Sequence, residues 1–216
     1  MSKETPFTVF IEGNIGSGKT TFLKHFSKFE NVSLVFEPVG LWQNLNGYNL
    51  LELQYEDPEK WHMSLQSYVM LTVLRNHLEN KTDKPIKIME RSLYCGQFCY
   101  VEQMFANKTL EPAKYYVLQE WYNFIHERHK SQCDLIIYLR TNPENALKRI
   151  RKRGRTEESG ITIEYLRELH NHHENRLIHG KFYRPAPVLV IDADSDKENI
   201  LKEYEKAEKI ILRDKN

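Results

Sequence analysis

The chain has 216 residues, of which 40% are hydrophobic, and its 31 basic and 30 acidic side chains give a formal net charge of +1. This length is enough for one α/β domain with a full core. The balanced charge argues against a nucleic-acid partner and against binding to an anionic membrane surface. The longest apolar runs are too short to cross a bilayer.

We therefore expect one cytoplasmic domain over residues 1–216. Its three cysteines, an odd number without a C-x-x-C pair, are typical of reduced thiols. The first predicted strand begins at about Phe7, which leaves no room for a signal or transit peptide. A chain that had lost such a segment would look the same, so a mitochondrial or nuclear location stays open.

Five apolar, strand-like runs are separated by helical patterns. They are predicted at residues 7–11, 32–36, 86–89, 135–139 and 188–191. This alternation predicts an α/β fold with an open, parallel sheet of about five strands and helices on both faces. Two helical patterns, at residues 68–78 and 115–125, are rich in apolar side chains. They either fill the core or leave a face for a partner subunit.

A glycine-rich segment, residues 11–21 (IEGNIGSGKTT), follows the first strand and precedes a helical pattern at 21–29. Its G-x-x-x-x-G-K-T spacing matches the phosphate-binding loop of P-loop proteins. Missing side chains let backbone N–H groups converge on one point, and the lysine adds a positive charge there. We predict a bound nucleoside triphosphate, held by Gly13, Asn14, Ile15, Gly16, Ser17, Gly18, Lys19, Thr20 and Thr21.

Acidic residues follow two of the other strands. Ligands of an open parallel sheet bind outside the carboxyl ends of its strands. Glu90 closes the third strand and is predicted, with Thr20, to hold Mg²⁺ against the triphosphate. Glu37 follows the second strand and is predicted to be the base that takes a proton from an attacking hydroxyl. The structural alternatives for both acids are a helix cap or a surface carboxylate.

Cations alternate through residues 149–155 and lead into a polar, glycine-bounded loop at 154–160. This pattern predicts an arginine-rich lid over about 149–160, whose arginines neutralise phosphate charge. A solvated helix face is the alternative. A nucleic-acid stripe is disfavoured by the near-zero net charge.

Two further clusters are predicted to be structural. Cys95 and Cys99 are one helical turn apart and are expected to be core or pocket thiols. No catalytic context supports zinc at a cluster on one later helix, for which we expect a structural or surface role. Its members are His170, His172, His173 and Glu174.

Several motifs occur in the order and spacing found in the deoxyribonucleoside kinases. They are residues 12–21 (EGNIGSGKTT), 37–39 (EPV), Trp42, 65–68 (LQSY), 90–92 (ERS) and 153–158 (RGRTEE). The chain resembles this family from Phe7 to about Asp194. Residues 49–53 and 134–141 are most similar to the branch that holds mitochondrial thymidine kinase and the multisubstrate insect deoxynucleoside kinases.

The resemblance implies a P-loop kinase that uses ATP and Mg²⁺ to phosphorylate the 5′-hydroxyl of deoxyribonucleosides in nucleotide salvage. It also implies a homodimer and feedback by a deoxynucleoside triphosphate. Glu37 is then the base, and Arg91 holds both its carboxylate and the nascent phosphate. Tyr55 and Glu158 bind the sugar 3′-hydroxyl, and Gln66 reads the base edge.

The resemblance also implies a base pocket. Trp42 and Tyr100 line the faces of the base, and most relatives carry phenylalanine at the latter position. Relatives that act on deoxycytidine and deoxyguanosine carry an aspartate and an arginine where Gly96 and Val73 stand. Their absence predicts room for the thymine methyl, so we expect thymidine and deoxycytidine as substrates, with purine deoxynucleosides as further candidates. The other implied pocket residues are Leu65 and Val69.

On the ATP side, the resemblance implies that Arg149 stacks on adenine and that the loop from Asp192 covers it. Arg153 and Arg155 then contact the phosphates and assist catalysis together with Lys19.

The sequence leaves three alternative functions open. A nucleoside-monophosphate kinase, such as a thymidylate kinase, needs cations that hold the acceptor's phosphate, whereas Glu37 and Tyr55 favour an uncharged hydroxyl. A non-catalytic structural member of the family is expected to lose Lys19, Glu37 or Arg91, and all three are present. A simple ATPase is the third.

Overall fold

A five-stranded, all-parallel sheet organises the chain, and its strand order is β2-β3-β1-β4-β5. The computed structural model describes residues 5–129 and 132–213; the predicted domain's residues 1–4, 130–131 and 214–216 lie outside this part. Each predicted strand is present, with its end one residue from the predicted position. The strands are β1 (Phe7–Glu12), β2 (Val32–Val35), β3 (Ile86–Glu90), β4 (Leu135–Arg140) and β5 (Val188–Asp192).

Helices connect the strands and cover the sheet. The predicted helix at 21–29 begins earlier, at Lys19, and ends in a 3₁₀ turn at Phe26–Lys28. No helix in the described ranges has the length and apolar character needed to pass through a lipid bilayer. The helices are α1 (Lys19–His25), α2 (Val39–Gln43), α3 (Leu50–Glu56), α4 (Pro58–Glu79), α5 (Leu93–Cys95), a π-helical turn (Gly96–Val101), α6 (Glu102–Ala106), α7 (Pro112–Arg128), α8 (Pro143–Arg153), a 3₁₀ turn (Thr156–Glu158), α9 (Ile163–Leu177) and α10 (Lys197–Leu212).

Side chains of β1 divide the core into two layers. Successive residues of a strand point to opposite faces of the sheet. Phe10 packs in one cluster with side chains of α4 and α7. Val9 and Ile11 pack in a second cluster with side chains of α1 and α10. Both faces are therefore covered, as the predicted fold class requires.

A fully buried ion pair joins the end of the central strand to α9. The guanidinium of Arg176 donates from Nη1 to Glu12 Oε2 and from Nη2 to Glu12 Oε1, the latter at 3.2 Å. Ser92 Oγ donates to Glu12 Oε1 at 2.6 Å. Both side chains of the ion pair are 0% exposed. Removing one partner of such a pair leaves an uncompensated charge in the core.

We expect Arg176→Met to lower the free energy of unfolding by about 3–5 kcal/mol, because it strands the Glu12 carboxylate without its cation. Urea denaturation followed by circular dichroism measures this change. The matched control is Arg167→Met on the same helix, whose partner Glu144 is exposed; its expected cost is about 0–1 kcal/mol. Equal costs for the two variants contradict the assignment.

Candidate active site

The phosphate-binding loop lies between β1 and α1 and packs directly on neighbouring backbone. Gly13 and Gly16 have φ angles of 145° and 77°, which L side chains rarely adopt. A Cβ on Gly13 would meet Leu139 O at 2.6 Å, and one on Gly16 would meet Ala146 O at 2.6 Å. Asn14 Nδ2 donates to Leu166 O at 2.8 Å and ties the loop to α9. The glycines are therefore required by the loop's close approach to β4 and α8.

Lys19 and Thr20 occupy the first positions of α1. Lys19 Nζ donates to Gly13 O at 3.1 Å and to Asn14 O at 2.7 Å. Burial lowers the pKa of Lys19 to about 8, and Arg91 contributes in the same direction. A bound phosphate would favour the charged amine and so raise this pKa, which means that the charged form of Lys19 is stabilised when the nucleotide binds.

Thr20 Oγ1 donates to Glu90 Oε1 at 2.8 Å. The two residues predicted to hold the metal are thus in contact, although 70 positions separate them along the chain. A hydroxyl and a carboxylate are both oxygen donors, the kind that Mg²⁺ prefers. The donor set fits that ion.

Glu37 and Arg91 form an ion pair at the carboxyl edge of the sheet, with Arg91 Nε 2.7 Å from Glu37 Oε1. Their side chains are 13% and 11% exposed. Burial raises the pKa of Glu37, Arg91 opposes this, and Glu90 adds to it. The Arg91 guanidinium also lies over the Tyr100 ring, 4.8 Å from its centroid. The result is a carboxylate of increased basicity held in one orientation.

Arg91 has a φ angle of 64°, which is unusual for a residue with a side chain. Its backbone N–H donates to Ile11 O at 2.9 Å, in line with the pairing of β1 and β3. Backbone strain of this kind persists only where the surroundings enforce it, and it is concentrated at functional sites.

The predicted lid begins inside a helix. Residues 149–153 belong to α8, which ends at Gly154 with a φ angle of 68°, and the 3₁₀ turn Thr156–Glu158 follows. The Glu158 carboxylate accepts hydrogen bonds from Arg153 and, at 3.2 Å, from Arg155 Nη1. Gln43 Nε2 donates to Glu157 Oε1 and fastens the lid to α2.

One cavity of about 750 Å³ connects these groups. All predicted nucleoside-side residues line it, and so do Glu90 and nine of the predicted ATP-side residues. The nucleoside-side residues are Glu37, Trp42, Tyr55, Leu65, Gln66, Val69, Val73, Arg91, Gly96, Tyr100 and Glu158. The ATP-side residues are Ile15, Gly16, Gly18, Lys19, Thr20, Thr21, Arg149, Arg153 and Arg155.

Asp192 lies apart from the main cavity. It lines a neighbouring cavity of about 850 Å³ at the ends of β4 and β5. Its carboxylate accepts from Asp194 N at 3.0 Å and from Ser195 Oγ at 3.2 Å. Arg149 Nη2 donates to Ala193 O at 2.7 Å, so the predicted adenine-stacking arginine does contact the loop after β5.

Nine residues that line the cavity were not among the predicted site residues, and three of them have large polar or aromatic side chains that enlarge its wall. Tyr165 lines the cavity from α9, Gln54 from α3, and Phe36 from the position directly after β2. Gln54 is adjacent to Tyr55 in the chain, and Tyr165 follows the lid by a few residues. Their helical patterns are those of ordinary packed helices, which gave no signal for a cavity wall.

The fold and the site together define a class of protein. A phosphate-binding loop after the central strand of a parallel sheet, an acid–arginine pair beside it and an arginine-rich lid are the parts of a P-loop kinase. The chain belongs to the deoxynucleoside kinase family, because the family model described as "Deoxynucleoside kinase" matches residues 9–215. This finding confirms the predicted family, fold class and kinase activity on deoxynucleosides.

Individual relatives agree with this assignment. The chain is 40% identical to human "Thymidine kinase 2, mitochondrial" over 215 residues, which cover 99% of this chain and 81% of the relative. It is 31% identical to human "Deoxycytidine kinase" over 218 residues, with 87% of this chain and 84% of the relative covered. Chicken "Deoxycytidine kinase 2" is 30% identical over 228 residues, with 91% and 86% covered.

Proposed function

We propose that this kinase transfers a phosphoryl group from ATP to the 5′-hydroxyl of pyrimidine deoxyribonucleosides in nucleotide salvage. The observation that carries the proposal is the buried Glu37–Arg91 pair, which lines the same cavity as the phosphate-binding loop. A neutral alcohol needs a base for its proton, whereas an acceptor that already bears phosphate needs cations in that position. The pair therefore favours a nucleoside over a nucleoside monophosphate.

Glu37 accepts the proton of the 5′-hydroxyl as the new O–P bond forms. Its raised pKa brings the carboxylate closer to the basicity that this transfer needs. Arg91 keeps the carboxylate oriented and neutralises charge on the transferred group. Lys19, Arg153 and Arg155 line the same cavity and supply the remaining positive charge.

Mg²⁺ is the proposed cofactor, with Thr20 Oγ1 and Glu90 as the chain's own oxygen donors. When bound, the ion neutralises charge on the terminal phosphates of the nucleotide. The chain contributes a hydroxyl from the start of α1 and a carboxylate from the end of β3. On the adenine side, we assign stacking to Arg149 and cover to the loop that begins at Asp192.

The nucleoside lies, in this proposal, in the part of the cavity between α3, α4 and the lid. Tyr55 and Glu158 bind the sugar 3′-hydroxyl, and the carboxamide of Gln66 reads the base edge. A carboxamide has both donors and an acceptor, so it can serve thymine and cytosine in turn. Trp42, whose Nε1 donates to Thr72 Oγ1 at 2.9 Å, and Tyr100 flank the base.

Thymidine and deoxycytidine are the proposed substrates. Gly96 and Val73 line the cavity without an ion pair between them and leave space for the thymine methyl. The names of the two human relatives refer to thymidine and to deoxycytidine. Purine deoxynucleosides are included as weaker candidates, since Leu65 adds little bulk and the cavity measures about 750 Å³.

We further propose a homodimer that uses an exposed apolar face of α7. Tyr116, Val117, Trp121 and Phe124 are 58%, 43%, 57% and 52% exposed. Large exposed apolar patches mark interaction surfaces. Feedback by a deoxynucleoside triphosphate is also proposed, because its base and its phosphates could occupy both halves of the cavity at once.

The predicted single domain over residues 1–216 and the predicted cytoplasmic location are retained as proposals. One sheet with a core on each face supports the first. The second is supported by three cysteines that form no disulfide. A mitochondrial or nuclear location is the alternative.

The function is tested by comparing acceptors at fixed ATP and Mg²⁺. We expect kcat/KM for thymidine and deoxycytidine to exceed that for thymidylate by roughly 100-fold or more, because the Glu37 carboxylate repels a phosphorylated acceptor. Mass spectrometry of the products measures it, with deoxyadenosine and deoxyguanosine as further arms. Thymidylate as the best acceptor, or ADP release that ignores added nucleoside, overturns the proposal. Strict purine preference overturns only the base assignment.

The Glu37→Gln variant tests the proposed base. We expect kcat to fall by about 10²- to 10⁴-fold, because an amide cannot accept the proton. Because the pKa of Glu37 is raised, activity of the unchanged protein should decline as the pH falls through that pKa, and the variant should lose this acidic limb. The control is the exposed Glu56→Gln on α3. A variant as active as the control indicates a misplaced base or a non-catalytic protein.

The dimer is tested with Trp121→Glu, which puts a charge in the exposed α7 face. We expect light scattering to show a dimer for the unchanged chain and a monomer for the variant. Leu201→Glu on α10 is the control, since Leu201 is also exposed, at 42%, but lies on another helix. The interface is contradicted if the unchanged chain is a monomer, or if the Trp121→Glu variant is still a dimer.

A further inference from the structure

Three buried soft donors converge beneath the active site. Cys95 ends α5, Cys99 lies in the π-helical turn, and His173 lies in α9. All three residues are 0% exposed. Their donor atoms lie within 4.8 Å of one another. Cys95 and His173 are 78 positions apart in the chain, so the fold, and no local motif, assembles this cluster.

We propose that Cys95, Cys99 and His173 form a binding site for a thiophilic d¹⁰ cation, Zn²⁺ or Cu⁺. Two sulfurs and an imidazole nitrogen are the donors that such cations prefer. The site is distinct in chemistry from the oxygen donors of Thr20 and Glu90.

The donor spacing supports this proposal. Zinc binds sulfur at about 2.3 Å and imidazole nitrogen at about 2.0–2.1 Å in a tetrahedral arrangement. These lengths separate a sulfur and a nitrogen on one ion by about 3.5 Å. Cys95 Sγ lies 3.6 Å from His173 Nε2. The two donors therefore need almost no movement to share a cation.

The histidine is held in the form that binds metals. His173 Nδ1 lies 2.7 Å from Leu169 O, and a carbonyl can only accept, so Nδ1 carries the hydrogen. This leaves the Nε2 lone pair directed at Cys95. A hydrogen bond from the other ring nitrogen to a carbonyl is the usual support of a metal-binding histidine. The Tyr138 ring stacks on His173 at an interplanar angle of 7° and fixes its plane.

The two cysteines are also fixed and polarised. Ser92 Oγ accepts from Cys95 N at 3.1 Å and caps the start of α5. Arg91 Nη1 lies 3.6 Å from Cys95 Sγ and stabilises negative charge on this sulfur. The thiolate is the form of cysteine that binds metals.

The site is tested on reduced, chelator-stripped protein. Zn²⁺ is added in one arm, and Cu⁺ under argon in the other. After dialysis against a competing chelator, we expect elemental analysis to find one bound cation per chain in at least one arm, which identifies the cation. Cys99→Ser and His173→Gln should each weaken binding by about tenfold or more. The matched control, Cys133→Ser, removes the remaining free thiol and should bind as the unchanged chain does.

X-ray absorption of the loaded, unchanged chain keeps the test independent of variant folding. We expect two sulfur neighbours at about 2.3 Å and a nitrogen at about 2.0 Å. The proposal is overturned if neither Zn²⁺ nor Cu⁺ is retained, or if the bound cation has only oxygen and nitrogen neighbours. It is also overturned if Cys133→Ser weakens binding as much as Cys99→Ser does. Because none of these measurements uses catalysis, the result is independent of the proposed kinase substrates.

Discussion

The structure depends on the placement of one guanidinium, that of Arg91. It pairs with Glu37, contacts Cys95 Sγ and faces the Tyr100 ring. Its own backbone is held at a positive φ by the end of β3. A buried cation needs several partners to offset its loss of hydration. These partners come from the segment after β2 and from the helical segment after β3. The Arg91 guanidinium therefore holds these two segments in position relative to each other.

The parallel sheet explains why the reacting groups meet. All five strands end at the same edge, and three of them deliver polar groups there: the loop after β1, Glu37 after β2 and Glu90 at the end of β3. Helices on both faces exclude water from the strands themselves. The ligand-binding groups of the described residues therefore gather at this edge, which is the general location of sites in open α/β sheets. The lid that begins in α8 is joined to α2 by the hydrogen bond from Gln43 to Glu157.

Sequence patterns predicted the features of the structure that depend on residues close together in the chain. The strands, the phosphate-binding loop, Glu37, Glu90 and the lid arginines each carry a short-range signal, such as apolar runs, glycine spacing or an acid after a strand. The first helix begins at Lys19, two residues before the predicted start, and the first half of the lid, residues 149–153, is helical.

Contacts between distant segments could not be predicted in this way. Glu12 and Arg176 are 164 positions apart, and neither residue has a pattern that indicates a buried pair. Cys95 and Cys99 were predicted to be core or pocket thiols, and His173 was predicted separately to have a structural or surface role, because only the packing of α9 against the π-helical turn brings the three together.

The lid has a consequence for ligand discrimination. Arg153 and Arg155 already share the Glu158 carboxylate, so their positive charges are offset within the lid. A small free anion gains little by binding these arginines, because it must first displace the Glu158 carboxylate, which belongs to the same lid. If a sugar alcohol engages Glu158 first, the same two cations become free to attract the donor nucleotide. With the sugar contact proposed above for Glu158, binding of the nucleoside and binding of the nucleotide phosphates would favour each other.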